Sequence, residues 1–191
     1  MSGAVFVEPW YHPAMDHFLV LSALGTDRPG LVAELTQFLV KQGANVEESR
    51  MVTLGAEFGV MMLLSGSAAA CERIAAEGTS IASSLGLQLL TRPTRDPREQ
   101  RPAKAIPHEI RLEAIDREGI VHALAEELRR LDLNIVDLET SSFAAPFSGG
   151  TLFRLEATVD VPPGKPLRAL RDALDALADR ENLDIEIRSR A

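Results

Sequence analysis

The chain of 191 residues holds a single cysteine, Cys71, a single tryptophan and a single tyrosine. A lone thiol cannot close an intramolecular disulfide, and with the four histidines scattered at 12, 17, 108 and 122 it offers no metal-ligand spacing. Neither a metal nor a cofactor is expected, and the unpaired thiol suits a reducing, cytoplasmic setting. No apolar run reaches the length of a membrane span, and the N-terminus lacks the basic stretch and long apolar core of a secretory signal. Basic side chains are in the minority, with 20 Lys and Arg against 28 Asp and Glu and a net charge of -8. Holding phosphates needs the opposite balance, so direct nucleic-acid binding is not expected. Also missing is any Ser-His-Asp or Cys-His grouping of the kind that makes a nucleophile, which argues against an enzyme.

What remains is an ordinary globular composition, 46% hydrophobic and 25% charged, on a chain long enough for one medium or two small domains. Residues 1–15, with Phe6, Trp10 and Tyr11 among prolines, read as a leader outside the fold. Met15 is a possible true start, and packing of the leader onto the body is the alternative. An apolar strand over 17–24 then meets the turn Gly25-Thr26-Asp27-Arg28-Pro29-Gly30. The spacing predicts a helix from Pro29 or Gly30 to Gln42, with Leu31, Val32, Leu35, Phe38 and Leu39 on one face and Gly43 closing it. Two extended runs, 46–54 and 57–65, make a hairpin about Gly55-Ala56. A helix over 68–85, weakened by Gly78, and a short strand over 87–91 complete the order βαββαβ.

Pro93, Pro97, Pro102 and Pro107 interleave with Arg95, Arg98, Arg101 and Lys104, a run that reads as a semi-extended linker over 93–107. The pattern then repeats, with a strand over 109–115, the turn Asp116-Arg117-Glu118-Gly119 and a helix over 120–131. A hairpin of 135–143 with 151–159 follows, its longer loop passing Pro146, Gly149 and Gly150. A helix opened by Pro166 and a strand over 183–187 close the chain. A shift of 89 positions superimposes Asp27 on Asp116, Gly30 on Gly119, Leu35 on Leu124 and Asn45 on Asn134 in one register, the mark of duplication. The expected class is α+β: two ferredoxin-like units, 16–92 and 108–189, each a four-stranded antiparallel sheet with two helices on one face.

Each such sheet leaves one face bare. In the second unit Glu109, Arg111 and Glu113 alternate with apolar residues, as a solvated face requires. In the first, Leu19, Val20 and Leu21, and Val60 to Leu64, are apolar in both phases. Something must cover that face: a second copy of the chain, making a homodimer, or failing that the leader or part of the second unit.

The first turn gathers unpaired backbone N–H groups at a helix start, a place that suits an anion. A βαββαβ unit whose first turn reads Gly-x-Asp-Arg-Pro-Gly, followed by a hydrophobic helix and an Asn at the second strand, resembles the ACT domain, a small-molecule regulatory module. Two such units resemble the tandem-ACT proteins of the glycine cleavage system transcriptional repressor family. The likeness is weaker in the second unit, where Glu118 replaces the proline. It implies that amino acids bind between the first turn of one unit and the second strand of the other. One site would use Gly25, Asp27, Arg28, Pro29, Gly30 and Leu31 with Asn134 and Ile135. The mirror site would use Asp116, Arg117, Gly119 and Ile120 with Asn45 and Val46, and Glu118 would repel a carboxylate there.

Blander roles stand beside these. Asp27 and Asp116 are plausible helix caps, Arg28 and Arg117 partners of a neighbouring acid, Gly30 and Gly119 close-packing residues, and Asn45 and Asn134 left-handed residues after a helix. The resemblance implies a non-enzymatic amino-acid sensor, with glycine or serine as ligand. Its protein partner would be a transcription factor of glycine metabolism or a metabolic enzyme. An assembly module without ligand is the alternative, as is a regulatory relative of ACT-containing enzymes such as formyltetrahydrofolate deformylase.

Overall fold

The structure, a computed structural model, describes residues 17–97, 105–145 and 149–189. The expected leader and Pro146 of the long hairpin loop lie outside the described residues. By its contacts the chain divides into two compact units, residues 1–101 and 102–191. The first runs β1 (His17–Thr26), α1 (Leu31–Gln42), β2 (Asn45–Leu54), β3 (Glu57–Gly66), α2 (Ala68–Leu85) and β4 (Leu87–Thr94). The second runs β5 (Ile106–Ile115), α3 (Ile120–Arg130), β6 (Asn134–Ala144), β7 (Thr151–Val161), α4 (Leu167–Glu181) and β8 (Asp184–Ser189). Sheet orders are β2-β3-β1-β4 and β6-β7-β5-β8, antiparallel throughout. This is the ferredoxin-like α+β arrangement, twice.

Alternation along the central strands decides which side chains meet the helices. In the first unit Leu19, Leu21 and Ala23 of β1 and Phe58, Val60, Met62 and Leu64 of β3 join Leu31, Leu35, Phe38 and Leu39 of α1 and Ile74 and Ala82 of α2 in one core. Burying a leucine side chain completely, as at Leu35, contributes roughly 1.5–3 kcal/mol. Val32, expected on the same face, is 40% exposed, because the core occupies only the 31, 35, 38, 39 stripe. Gly78, a poor helix former, earns its place by proximity: a Cβ there would lie 3.0 Å from Leu89 Cδ2, so its absence lets α2 settle onto β4. The second core is built likewise from Ile110, Leu112, Leu124, Leu128, Leu155, Val159, Leu170, Leu174 and Leu177.

The strands outrun their expected ends. Thr26 still pairs with Glu57, Thr94 with Phe18, and Ile106 with Val161, so 93, 94, 106 and 107 belong to strands rather than to a linker. Proline is tolerated at both places for one reason. Pro93 lies on the edge strand β4, and Pro107 precedes the point, His108, where β8 begins to pair with β5; neither needs an N–H on its open side.

The two outer faces differ at equivalent positions. On β1 that face carries Val20, Ser22 and Leu24; on β5, 89 residues later, it carries Glu109, Arg111 and Glu113. The charged set is stitched by ion pairs, Arg111 with Glu109 and Glu156, and Arg154 with Glu113. The apolar set has no such closure, and Met61 and Leu90 on the same face are 57% and 69% exposed.

Candidate functional site

The turn between β1 and α1 is anchored from both sides. At Gly25 a Cβ would run into the Gly86 carbonyl and lie 2.9 Å from Leu87 Cδ2, so β1 passes the start of β4 only with glycine there. Asp27 donates its backbone N–H to the Ala56 carbonyl at 2.9 Å, and its carboxylate accepts a 3.4 Å hydrogen bond from the Thr53 hydroxyl. Asp27 therefore ties the turn to the β2–β3 hairpin and does not cap the helix. The residue at the N-cap is Gly30, held at φ 93° with no side chain capping the end, and the helix starts at Leu31 rather than at Pro29. A positive φ, not the close packing expected from the sequence, accounts for Gly30.

No side chain caps α1; the Leu31 N–H donates to the Arg28 carbonyl at 3.5 Å, and the first helical residues border a hollow of about 510 Å³. Asp27, Arg28, Gly30, Leu31, Val32 and Ala33 line it from the turn, and Met51, Thr53 and Phe58 from the hairpin. The last three were not singled out in the sequence, although the β2 alternation that puts Met51 and Thr53 on the helix side was available there. Pro29 is exposed and does not line the hollow. Leu31 is mainly a core residue. Arg28 grips Glu34 of the first helical turn, Nη1 and Nη2 donating to the two carboxylate oxygens at 2.7 and 2.8 Å. That hydrogen-bonded pairing lowers the Glu34 pKa and raises that of Arg28. The pair is exposed on both sides, so it adds little to stability.

The second turn copies the backbone and not the side chains. Asp116 donates its N–H to the Thr151 carbonyl at 2.9 Å, and Gly119 caps α3 at φ 90° with open space where a Cβ would be. Asp116, like Asp27, is thus no cap. Arg117, however, donates to the Glu181 carbonyl and carboxylate at 2.9 and 2.8 Å, at the far end of α4. Ile120 is buried in the second core.

Asn45 and Asn134 open β2 and β6 in extended backbone; the left-handed residues of the described chain outside glycine are Asp132 and Asn182. In both sheets a bulge follows, after Val46 and after Ile135, and both of these residues pack against their cores. The asparagines themselves differ. Asn45 donates its amide to Glu47 at 2.9 Å, and the buried Ser65 hydroxyl donates to the same carboxylate oxygen. Among the described residues Asn134 makes no side-chain hydrogen bond, and with Ile135, Arg129 and Asp132 it lines a hollow of about 360 Å³. Among the described residues no cluster of His, Cys, Asp or Glu is placed to hold a metal, and no helix is long and apolar enough to cross a membrane. Burial, with the Glu72 charge beside it, raises the Cys71 pKa, which makes the thiol a poor nucleophile.

Comparison with known proteins bears on the whole chain. The ACT domain family matches residues 17–91. The glycine cleavage system transcriptional repressors of Escherichia coli K12 and Shigella flexneri are each 30% identical over 169 residues, covering 87% of this chain and 86% of theirs. A crystal structure of a protein from Galdieria sulphuraria is similar over 93% of this chain and 100% of its own, at TM-score 0.75 and 30% identity. A second solved structure, described as a glycine cleavage system transcriptional repressor, agrees in fold over 92% of this chain and 98% of its own, at TM-score 0.68 and 23% identity. The curated relatives are named as transcriptional repressors and no catalytic family is indicated, so the chain is a regulatory protein. It belongs to the ACT-domain regulators related to the glycine cleavage system transcriptional repressor.

Proposed function

We propose that the protein senses a small amino acid, glycine or serine, and passes its occupancy to a protein partner. One observation carries the reading: an uncapped helix N-terminus at a left-handed glycine opens onto a hollow of about 510 Å³. Backbone N–H groups there favour an α-carboxylate through the helix dipole. Asn134 and Ile135, the residues the family resemblance assigns to the α-ammonium, offer a side-chain amide oxygen and strand carbonyls as acceptors. The Asn134 amide, without a side-chain partner among the described residues, supports this assignment over the mirror set, where Glu47 already holds Asn45. Asp27, Arg28, Pro29 and Gly25 enter as the frame of the turn, and Arg28 becomes a ligand only by releasing Glu34.

The partner that fits best is a transcription factor of glycine metabolism, with a metabolic enzyme as the other class. The curated relatives are named as transcriptional repressors, while this chain carries a net charge of -8. An acidic regulator acts on DNA more readily through a second protein than by gripping phosphates itself. A cytoplasmic location accompanies that role. A homodimer through the apolar outer face of the first sheet, the assembly the sequence suggests, belongs to the same reading and would be read as a doubled molar mass. An assembly module without ligand is supported by one observation, the Glu34 carboxylate already bound to Arg28.

Isothermal titration of the full chain with glycine, serine and the other amino acids separates these readings. Saturable heat with glycine or serine, weakened in Asn134→Ala, is expected. Silence across all amino acids overturns the sensor and leaves the assembly module.

A further inference from the structure

The outer face of the first sheet carries opposite charges on its two edge strands. Strand register sets Glu48 of β2, Leu63 of β3, Val20 of β1 and Arg92 of β4 in one row across it. The next row is Arg50, Met61, Ser22 and Leu90, so the middle is largely apolar, with Met61 and Leu90 exposed. Glu48 and Arg92 stand on the two edge strands, about 14 Å apart, too far to meet within one chain. Among the described residues no carboxylate pairs with Arg92, and Glu48 reaches Arg50 at 3.8 Å with both side chains exposed. Four strands over the length of β4 present a face of roughly 500 Å², so two such faces bury about 1,000 Å² together, enough for a specific interface. The corresponding face of the second unit is closed by its own ion pairs. With one self-complementary face per chain, assembly stops at two copies.

We propose that two copies of the chain stack these faces about a two-fold axis parallel to the strands, so that Glu48 of each copy meets Arg92 of the other and Val20, Met61 and Leu63 pack between. This rests on the homodimer proposed above and adds its symmetry and its pairing residues. Facing sheets lie about 10 Å apart with their strands within about 30° of each other, a gap that Glu and Arg side chains close from opposite walls. An axis along the strands lays β2 of one copy over β4 of the other. An axis across the strands would lay β4 over β4 and gather both arginines at one edge without an acid. Burial of the apolar middle drives the contact, and the two ion pairs choose its orientation.

Sedimentation of the full chain should give a dimer. Glu48→Arg and Arg92→Glu should each raise its dissociation constant at least about tenfold, with far-UV circular dichroism unchanged, since each turns two attractive pairs into repulsive ones. Mixing the two variants should restore the dimer, because the heterodimer regains both pairs, and so should combining the two changes in one chain. Should either charge variant misfold, Met61→Glu reads the same face: a folded monomer is expected, and an intact dimer overturns the arrangement. A parent chain that sediments as a monomer overturns the homodimer and this arrangement together and gives the face to another occupant. A dimer that neither charge reversal weakens, or that neither the mixture nor the double variant restores, overturns the arrangement alone and leaves the homodimer standing. Neither result touches the amino-acid sensor, which titration tests separately.

Discussion

Two glycines five residues apart in one turn serve unrelated ends, and substitution separates them. Gly25 is needed for room beside the Gly86 carbonyl, whereas Gly30 and Gly119 are needed for their left-handed backbone. Gly30→Ala and Gly119→Ala should each cost about 1–2 kcal/mol in urea unfolding, the usual penalty for forcing an L residue into that region. If the first turn is the receptor, only Gly30→Ala should also weaken glycine or serine in a titration. Conversely, Asn182 ends α4 at φ 51°, where α2 ends at Gly86. Asn182→Gly should therefore stabilise the chain by up to about 1 kcal/mol, seen as a higher urea midpoint. The sequence located the turns but not the sign of φ at a non-glycine residue. Hence it offered left-handed geometry as one role for Asn45 and Asn134, which are strand residues, and missed Asp132 and Asn182.

At the scale of elements, periodicity identified the helices and the inner strands because each has one face committed to a core, whereas β2 and β6, exposed along nearly their whole length, were legible as the first arms of hairpins. Pairing between charged side chains was not legible, since it depends on which ends the fold brings together. Arg28 finds Glu34 six residues on, but Arg117 finds Glu181 on another helix. On α3, the hydrogen bond from Arg129, reinforced by its charge, lowers the Glu126 pKa from 4.5 to about 2. A carboxyl held lower in the folded chain contributes stability above about pH 4.5 and loses it as the pH falls toward 2. Urea midpoints followed from pH 6 downward should therefore fall less steeply in Glu126→Gln than in the parent chain. Because the pair is exposed, high salt should shrink that difference.

Across the whole molecule, duplication preserved what the backbone needs and released what side chains do. Both turns keep the Asp N–H to the hairpin, the left-handed glycine at the helix start and the bulge in the second strand. The partner of the turn arginine, the Asn45–Glu47 bond and the two outer faces have diverged. If the receptor is the one built from the first turn with Asn134 and Ile135, the mirror set is handicapped twice: Glu118 puts a negative charge at the α3 start, and Glu47 occupies Asn45. A charge there opposes the carboxylate that the helix end would otherwise attract. Titration with glycine or serine should therefore give one molecule bound per chain. Combining Glu118→Gln with Glu47→Gln relieves the repulsion and weakens the hold on Asn45, and should raise the number toward two. Two equivalent molecules per unaltered chain would show that neither carboxylate matters to binding and that the copies had not parted in function.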